Sequence, residues 1–216
     1  MPPAVIVGIG YPTEERLDRV RRTYDLTTPA DPEKLPPTRI PGGWPKSGGA
    51  DAFLEFLVEQ LRPRIEKEVS INRQRQTLIG HSFGGLFVMH TLFTRPDAFQ
   101  NYVAISPSGW WNDYALGPQE QPFSAKLDRL TSPVHLTIAI GELELSGDVG
   151  PAAALKPTEA SKAFGSTRDF AHRMQQRESD QFTFTYHQFA DKDHGSVVPI
   201  GLSTTLSEIL GESRVD

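Results

Sequence analysis

The chain has 216 residues, of which 38% are hydrophobic and 23% are charged. This balance excludes a disordered chain, and the length favours a single domain over residues 1–216. The net charge is −5 without a long basic run, which argues against nucleic-acid or membrane partners. Cysteine is absent, so disulfides and thiol catalysis are excluded. No apolar run reaches the roughly 20 residues that span a bilayer, and no secretory signal is recognisable, so we expect a cytoplasmic location.

Apolar segments predict strands that alternate with helices along the chain. Residues 4–9 form a short β-branched run that predicts a buried strand, and residues 11–49 are polar and proline-rich, which predicts a long loop. Ala50–Val69 has the periodicity of an amphipathic helix, whose last turns Pro63 should bend or break. Further strands are predicted at 76–80, 101–106, 134–140 and 182–189, and further helices at 84–94, 160–177 and 198–210. This alternation predicts an α/β fold with a mostly parallel sheet covered on both faces.

The segment Gly80-His81-Ser82-Phe83-Gly84-Gly85 matches the pattern G-x-S-x-G. In this pattern the serine sits on a sharp, strained turn between a strand and a helix, and glycines two residues away on either side avoid a steric clash. A predicted strand precedes the motif and a predicted helix follows it, as the pattern requires. Ser82 is therefore the candidate nucleophile, at the carboxyl edge of the sheet.

A serine nucleophile needs a base within hydrogen-bond reach, and in this fold the base is a histidine that follows the acid in the chain. His194 lies in a polar turn between the last predicted strand and the last predicted helix, so it is the candidate base. The other five histidines fall in predicted strands or helices or inside the motif itself. Among them, His81 is expected to point away from the substrate.

The acid should follow the predicted strand 134–140 and should orient the imidazole of the base. Glu144 lies three residues after Gly141, a common spacing in this fold, and is preferred over Glu142. Asp148 is a third candidate, and a Ser–His pair without an acid also stays open.

These motifs together resemble the esterase D family of α/β-hydrolases, and within it the branch similar to siderophore esterases. The resemblance extends over nearly the whole chain and is carried by six stretches: residues 6–11, 22–27, 48–54, 77–87, 105–111 and 193–196. It implies a serine esterase that acts on bulky esters, with catecholate siderophores as one substrate class. It also implies substrate contacts by Arg22, Trp110 and Trp111, although a structural role for each stays open. The sequence suggests neither a metal site nor another cofactor.

Two backbone N–H groups normally bind the oxyanion in this fold, and Phe83, the residue after the serine, should supply one of them. By resemblance, residues 4–9 match the family's fourth strand, and the loop that supplies the second donor has no counterpart. We therefore expect a fold that lacks its first strands. Three explanations stay open. They are a start codon assigned too far downstream, a natural deletion, and a rearranged oxyanion hole that uses Gly10 or Tyr11.

Two other functions stay open at this point. A binding protein that keeps the fold without catalysis would not need the strained turn at Ser82. An acyltransferase would differ only in the molecule that accepts the acyl group, which residue types do not reveal.

Overall fold

A computed structural model describes residues 3–15, 17–38, 40–145 and 151–211. Its sheet has four strands in the order β1-β2-β3-β4, and every neighbouring pair is parallel. The strands are β1 Thr77–His81, β2 Asn101–Ile105, β3 Val134–Gly141 and β4 Phe182–Phe189. Since all four run in the same direction, the residues that follow them meet at one edge of the sheet.

Helices connect the strands and precede them. They are α1 Arg19–Leu26, α2 Ala50–Glu55, a π-helical segment Phe56–Leu61, α3 Arg62–Glu68, α4 Phe83–Thr94, α5 Trp111–Tyr114, α6 Glu120–Leu127, α7 Glu159–Phe164, α8 Thr167–Gln175 and α9 Val197–Gly211. Within the described ranges, no helix is both long enough and apolar enough to cross a membrane.

The alternation of side chains along β2 divides the core between the two faces of the sheet. Tyr102 and Ala104 pack in the main core with side chains of α4, α6 and α8. Val103 and Ile105 point to the opposite face, where Val197 at the start of α9 covers them. Successive residues of a strand face opposite sides, so a strand with helices on both faces is apolar throughout. The predicted parallel sheet, flanked by helices, is confirmed.

The strand predicted at residues 4–9 is wrong. Residues 3–10 are assigned to no strand, and Ile6 is 80% exposed. A strand exists only when its N–H and C=O groups pair with a neighbour. Among the described residues, β1 pairs with β2 alone, so residues 4–9 have no ladder to join. Hydrophobicity along the chain predicts a buried strand, but it does not show whether a neighbouring strand is there to pair with it.

The long loop predicted over residues 11–49 contains α1. This helix begins after Asp18, whose side chain accepts a hydrogen bond from the N–H of Arg21 and so caps the first turn. Only Thr23 of this helix is buried. The apolar signal was therefore too weak to reveal the helix from sequence.

Two predicted helices differ from the observed ones in detail. Pro63 does not end its helix, because the π-helical segment Phe56–Leu61 precedes it and changes the hydrogen-bond register ahead of the proline. The helix predicted at 160–177 is instead the pair α7 and α8. They separate at Gly165, whose φ of +72° is unfavourable for other residues, and Ser166 caps the second helix.

Candidate active site

Ser82 lies on a strained turn between β1 and α4. Its φ is +61° and its ψ is −116°, a conformation that non-glycine residues rarely adopt. Three backbone hydrogen bonds hold it: its N–H donates to Ile105 O at 3.0 Å, and its carbonyl accepts from Leu86 N at 2.9 Å and from Ser108 N at 3.2 Å. The strain is thus maintained by the β1–β2 pairing on one side and by the first turn of α4 on the other.

The two glycines around Ser82 have different roles. A β-carbon on Gly80 would lie 2.2 Å from the carbonyl oxygen of Gly84, so β1 and α4 approach too closely for any side chain there. A β-carbon on Gly84 would meet nothing within 4 Å outside its own helix. The expectation that both glycines avoid a clash is therefore right for Gly80 and wrong for Gly84.

His194 and Glu144 form a direct hydrogen bond at the carboxyl edge of the sheet. His194 Nδ1 donates to Glu144 Oε2 at 2.7 Å. Because Nδ1 carries the proton toward the carboxylate, Nε2 of the neutral ring is free to accept a proton from a nucleophile. The loop after β3 and the loop after β4 thus bring a carboxylate and an imidazole together from positions 50 residues apart.

The other oxygen of Glu144 has two further donors. Oε1 accepts from Ser106 Oγ at 2.6 Å and from the N–H of Gly141 at 2.9 Å. Burial raises the pKa of Glu144, but the hydrogen bonds from His194, Ser106 and Gly141 outweigh it and lower the pKa below its usual value. Glu144 is therefore ionised at neutral pH and stabilises a positive charge on His194.

The rival acid Glu142 does not take this position. Glu142 Oε2 accepts instead from the N–H of Asp191 at 3.3 Å, so this carboxylate supports the turn that precedes His194. Asp148 lies outside the described residues.

His81 does not point away from the site, which corrects the sequence-based expectation. Its Nε2 donates to the carbonyl oxygen of His194 at 2.8 Å, and the two imidazole rings pack with centroids 4.6 Å apart. Burial, followed by the nearby charge of His194, lowers the pKa of His81. His81 is thus held neutral beside the candidate base. No local sequence signal reveals this contact, because it joins β1 to a loop 113 residues later.

The hydroxyl of Ser82 lies within hydrogen-bond distance of a second serine. Ser82 Oγ and Ser108 Oγ are 3.4 Å apart, and Ser108 is buried. Within the part of the chain that the structure describes, Ser82 and His194 share no direct hydrogen bond. Hydrogen bonds between nucleophile and base are often long before substrate binds and tighten in the complex with substrate.

Aromatic rings surround the turn after Ser82. Phe83 packs against Trp110 at 5.9 Å, against Trp111 at 5.1 Å and against Trp44 at 6.2 Å between ring centroids. Trp110 and Trp44 are half-buried, which leaves part of each ring accessible. Trp44 was missed from sequence because it lies in a stretch that predicts only a loop.

Trp111 is too buried to contact a substrate in this structure. Its side chain is 1% exposed, and its indole Nε1 donates to the carbonyl of Thr28 at 3.0 Å. The predicted substrate contact is therefore wrong for Trp111, which instead ties the long N-terminal loop to the core.

Arg22 contacts the two residues on either side of Ser82 and so already has partners within the protein. Its Nη2 donates to the carbonyl of His81 at 3.0 Å, and its guanidinium lies 5.5 Å from the centroid of the Phe83 ring. Burial lowers the pKa of Arg22. The phenol of Tyr11 interacts electrostatically with Arg22, and burial and then the charge of Asp25 raise the pKa of this phenol. That the backbone N–H of Tyr11 donates a hydrogen bond to the oxyanion stays a prediction.

Phe83 is the first residue of α4, and the first N–H groups of a helix have no partner within it. Its N–H is thus suited to an oxyanion beside Ser82. Within the described ranges, no group of three histidine or carboxylate side chains is arranged to hold a metal ion.

Comparison with known proteins agrees with this geometry. Residues 31–195 match the family model described as "Putative esterase". The chain is 36% identical over 204 residues to the ferri-bacillibactin esterase BesA of Bacillus subtilis, covering 94% of this chain and 66% of that protein. It is 34% identical over 218 residues to a siderophore enterobactin esterase of Emericella nidulans, covering 92% of this chain and 69% of that protein.

A solved structure is also similar. The crystal structure of the BES protein from Bacillus cereus matches with a TM-score of 0.80 and 34% identity, over 96% of this chain and 72% of that one. These findings define the class of protein, which has an α/β-hydrolase fold and is similar to esterases. The chain belongs to the esterase family whose model it matches, and it is similar to that family's siderophore esterases.

Proposed function

We propose that this protein hydrolyses carboxylic esters through an acyl-serine intermediate, with Ser82 as nucleophile, His194 as general base and Glu144 as the acid. The observation that carries the proposal is the 2.7 Å hydrogen bond from His194 Nδ1 to Glu144 Oε2, next to the strained turn that bears Ser82. A ligand-binding protein without catalysis would have no use for this arrangement, since strain and an oriented imidazole both cost stability.

The chemistry follows from the free Nε2 of His194. Ser82 Oγ attacks the ester carbonyl carbon and gives its proton to Nε2, and the oxyanion accepts a hydrogen bond from the N–H of Phe83. The imidazolium then protonates the departing alcohol, which leaves an acyl group on Ser82. A water molecule, deprotonated by His194, cleaves that acyl group as a carboxylic acid and restores the hydroxyl. Glu144 stabilises the imidazolium in both halves of the reaction.

For the substrate, we propose the ester linkages of a siderophore. The support is the similarity to a ferri-bacillibactin esterase and to a siderophore enterobactin esterase over more than nine tenths of this chain. The accessible rings of Trp110 and Trp44 beside Phe83 suit a flat aromatic acyl group. Arg22 is proposed to act on the substrate only indirectly, because its guanidinium holds the turn at His81.

The test is labelling with a fluorophosphonate, in which Ser82 Oγ displaces fluoride from phosphorus, followed by peptide mapping. We expect the label on Ser82, and we expect Ser82→Ala to lower turnover of p-nitrophenyl acetate by several orders of magnitude. Mapping also separates Ser82 from Ser108, whose hydroxyl lies 3.4 Å away.

Two further measurements complete this test. His194→Ala should abolish labelling, whereas His172→Ala, at an exposed position of α8, should label normally. Enterobactin and ferri-bacillibactin should each give free acid products with the wild-type protein. A label on another serine, or unchanged turnover in Ser82→Ala, would contradict the assignment. Turnover of p-nitrophenyl acetate without cleavage of either siderophore would contradict the proposed substrate class alone.

A further inference from the structure

We infer that Ser106 is a positioning residue that fixes the carboxylate of Glu144 in the orientation His194 requires. The inference rests on the proposed triad, because it concerns how the acid is held. Ser106 directly follows β2, which lies between the strand that leads to Ser82 and the strand that leads to Glu144. Ser106 therefore lies at the centre of the site but does not take part in the bonds that form or break in the reaction.

The two carboxylate oxygens of Glu144 accept hydrogen bonds from different partners. One oxygen is held by supporting groups, and the other faces the candidate base. Ser106 Oγ at 2.6 Å and Gly141 N at 2.9 Å both donate to Oε1, whereas Oε2 accepts from His194 at 2.7 Å. A carboxylate can rotate about its terminal bond, which has a broad torsional well. Two donors on one oxygen prevent that rotation, so the other oxygen stays in line with the imidazole.

The backbone conformation of Ser106 indicates that its side chain has a function. Its φ is +43°, a left-handed conformation that costs a non-glycine residue free energy, and its N–H donates to Ala139 O at 2.8 Å. Glycine would adopt this conformation more easily. The cost of a serine here is therefore offset by what its hydroxyl contributes, and that hydroxyl bonds to Glu144. Ser106 is 3% exposed, so water does not replace the hydroxyl readily.

Two variants separate the hydroxyl from the backbone. Ser106→Ala removes the hydroxyl and keeps the strain, whereas Ser106→Gly removes the hydroxyl and relieves the strain. We expect Ser106→Gly to be the more stable of the two in urea denaturation. Both should nevertheless lose kcat on p-nitrophenyl acetate to a similar extent, about 10-fold, the effect of one charge-assisted hydrogen bond. KM should change little, because Ser106 does not touch the substrate.

A double-mutant cycle shows whether the effect passes through the acid. In a Glu144→Ala background there is no carboxylate to hold, so adding Ser106→Ala should cause almost no further loss of kcat. Wild-type kcat in both Ser106 variants, or an equal loss from Ser106→Ala with and without Glu144, would overturn the inference. So would kcat values that follow the stabilities of the Ala and Gly variants.

These outcomes are distinguishable from failure of the proposed function. If Ser82→Ala and Glu144→Ala both kept full turnover, the triad itself would be wrong. If those two variants were impaired while the Ser106 variants behaved as wild type, only the positioning role would be lost.

Discussion

His81 donates a hydrogen bond from Nε2 to the carbonyl oxygen of His194 at 2.8 Å, and the rings of the two residues pack against each other. The residue before the candidate nucleophile therefore holds the loop of the candidate base. The hydrogen bond to this carbonyl favours a protonated His81, but burial and the nearby charge of His194 outweigh it and lower the pKa of His81.

The His81 contact predicts a stability that depends on pH. Burial and the charge of His194 lower the folded-state pKa of His81 below its unfolded value of about 6.5. Its contribution to stability is therefore complete above pH ~6.5 and is lost as the pH falls from there through the folded-state pKa. We expect His81→Gln to flatten this part of the urea-denaturation profile between pH 7.5 and 5. His172→Gln, at an exposed helix position, should leave the wild-type slope, and an unchanged slope in His81→Gln would refute the effect.

The two glutamates after β3 should differ in their effect on catalysis. Glu144→Gln removes the negative charge that faces His194 and should lower kcat by about 10²–10⁴-fold. Glu142→Gln changes a carboxylate that accepts from the N–H of Asp191 and not from His194 Nδ1, so its kcat should stay close to wild type. Steady-state kinetics on p-nitrophenyl acetate give the comparison. Near-wild-type rates for both variants would support a Ser–His pair without an acid.

The glycines around Ser82 should respond differently to alanine. Gly80→Ala places a β-carbon 2.2 Å from the Gly84 carbonyl oxygen and should destabilise the fold by about 1–3 kcal/mol. Gly84→Ala has room at a helical position and should be neutral or stabilising by up to ~1 kcal/mol. Urea midpoints measure both. Equal destabilisation would mean that the close approach is not centred on Gly80.

Gly141 and Gly195 offer a matched pair of variants close to the proposed acid and the proposed base. A β-carbon on Gly141 would lie 2.3 Å from the carbonyl of Lys192, where the loop after β3 meets the loop that carries His194. Gly141→Ala should separate Glu144 from His194 and lower kcat. On Gly195 the nearest atom would be 3.7 Å away, so Gly195→Ala should retain the rate. A larger loss from Gly195→Ala than from Gly141→Ala would contradict this account of the loop contact.

Arg22 and its neighbour Arg21 test whether the buried guanidinium supports the turn. Arg22→Gln removes the donor to His81 O and should cost about 1–3 kcal/mol of stability together with part of kcat. Arg21 is 54% exposed and pairs with Asp18 on the surface, so Arg21→Gln should cost less than ~1 kcal/mol. Denaturation and kinetics on a neutral ester are the measurements. An effect confined to KM of anionic substrates would favour direct substrate binding by Arg22.

The sequence by itself determined the features that depend on local pattern. The G-x-S-x-G motif at Ser82 predicted the strained turn, because its glycines and the flanking apolar segments are all close in the chain. The same applies to the four strands of the sheet and to the polar turn that carries His194. Strand–helix alternation was enough to predict a parallel sheet, since parallel strands need crossover helices.

Tertiary structure decided the features that depend on distant neighbours. The spacing after Gly141 favoured Glu144 over Glu142 but left both open, and the direction of each side chain relative to His194 and Ser106 separates them. Whether residues 4–9 form a strand depends on a neighbour for their backbone groups, which hydrophobicity does not encode. The burial of Trp111 and the contact of His81 with His194 likewise depend on loops that lie far apart in the chain, because these contacts exist only once the loops converge at the sheet edge.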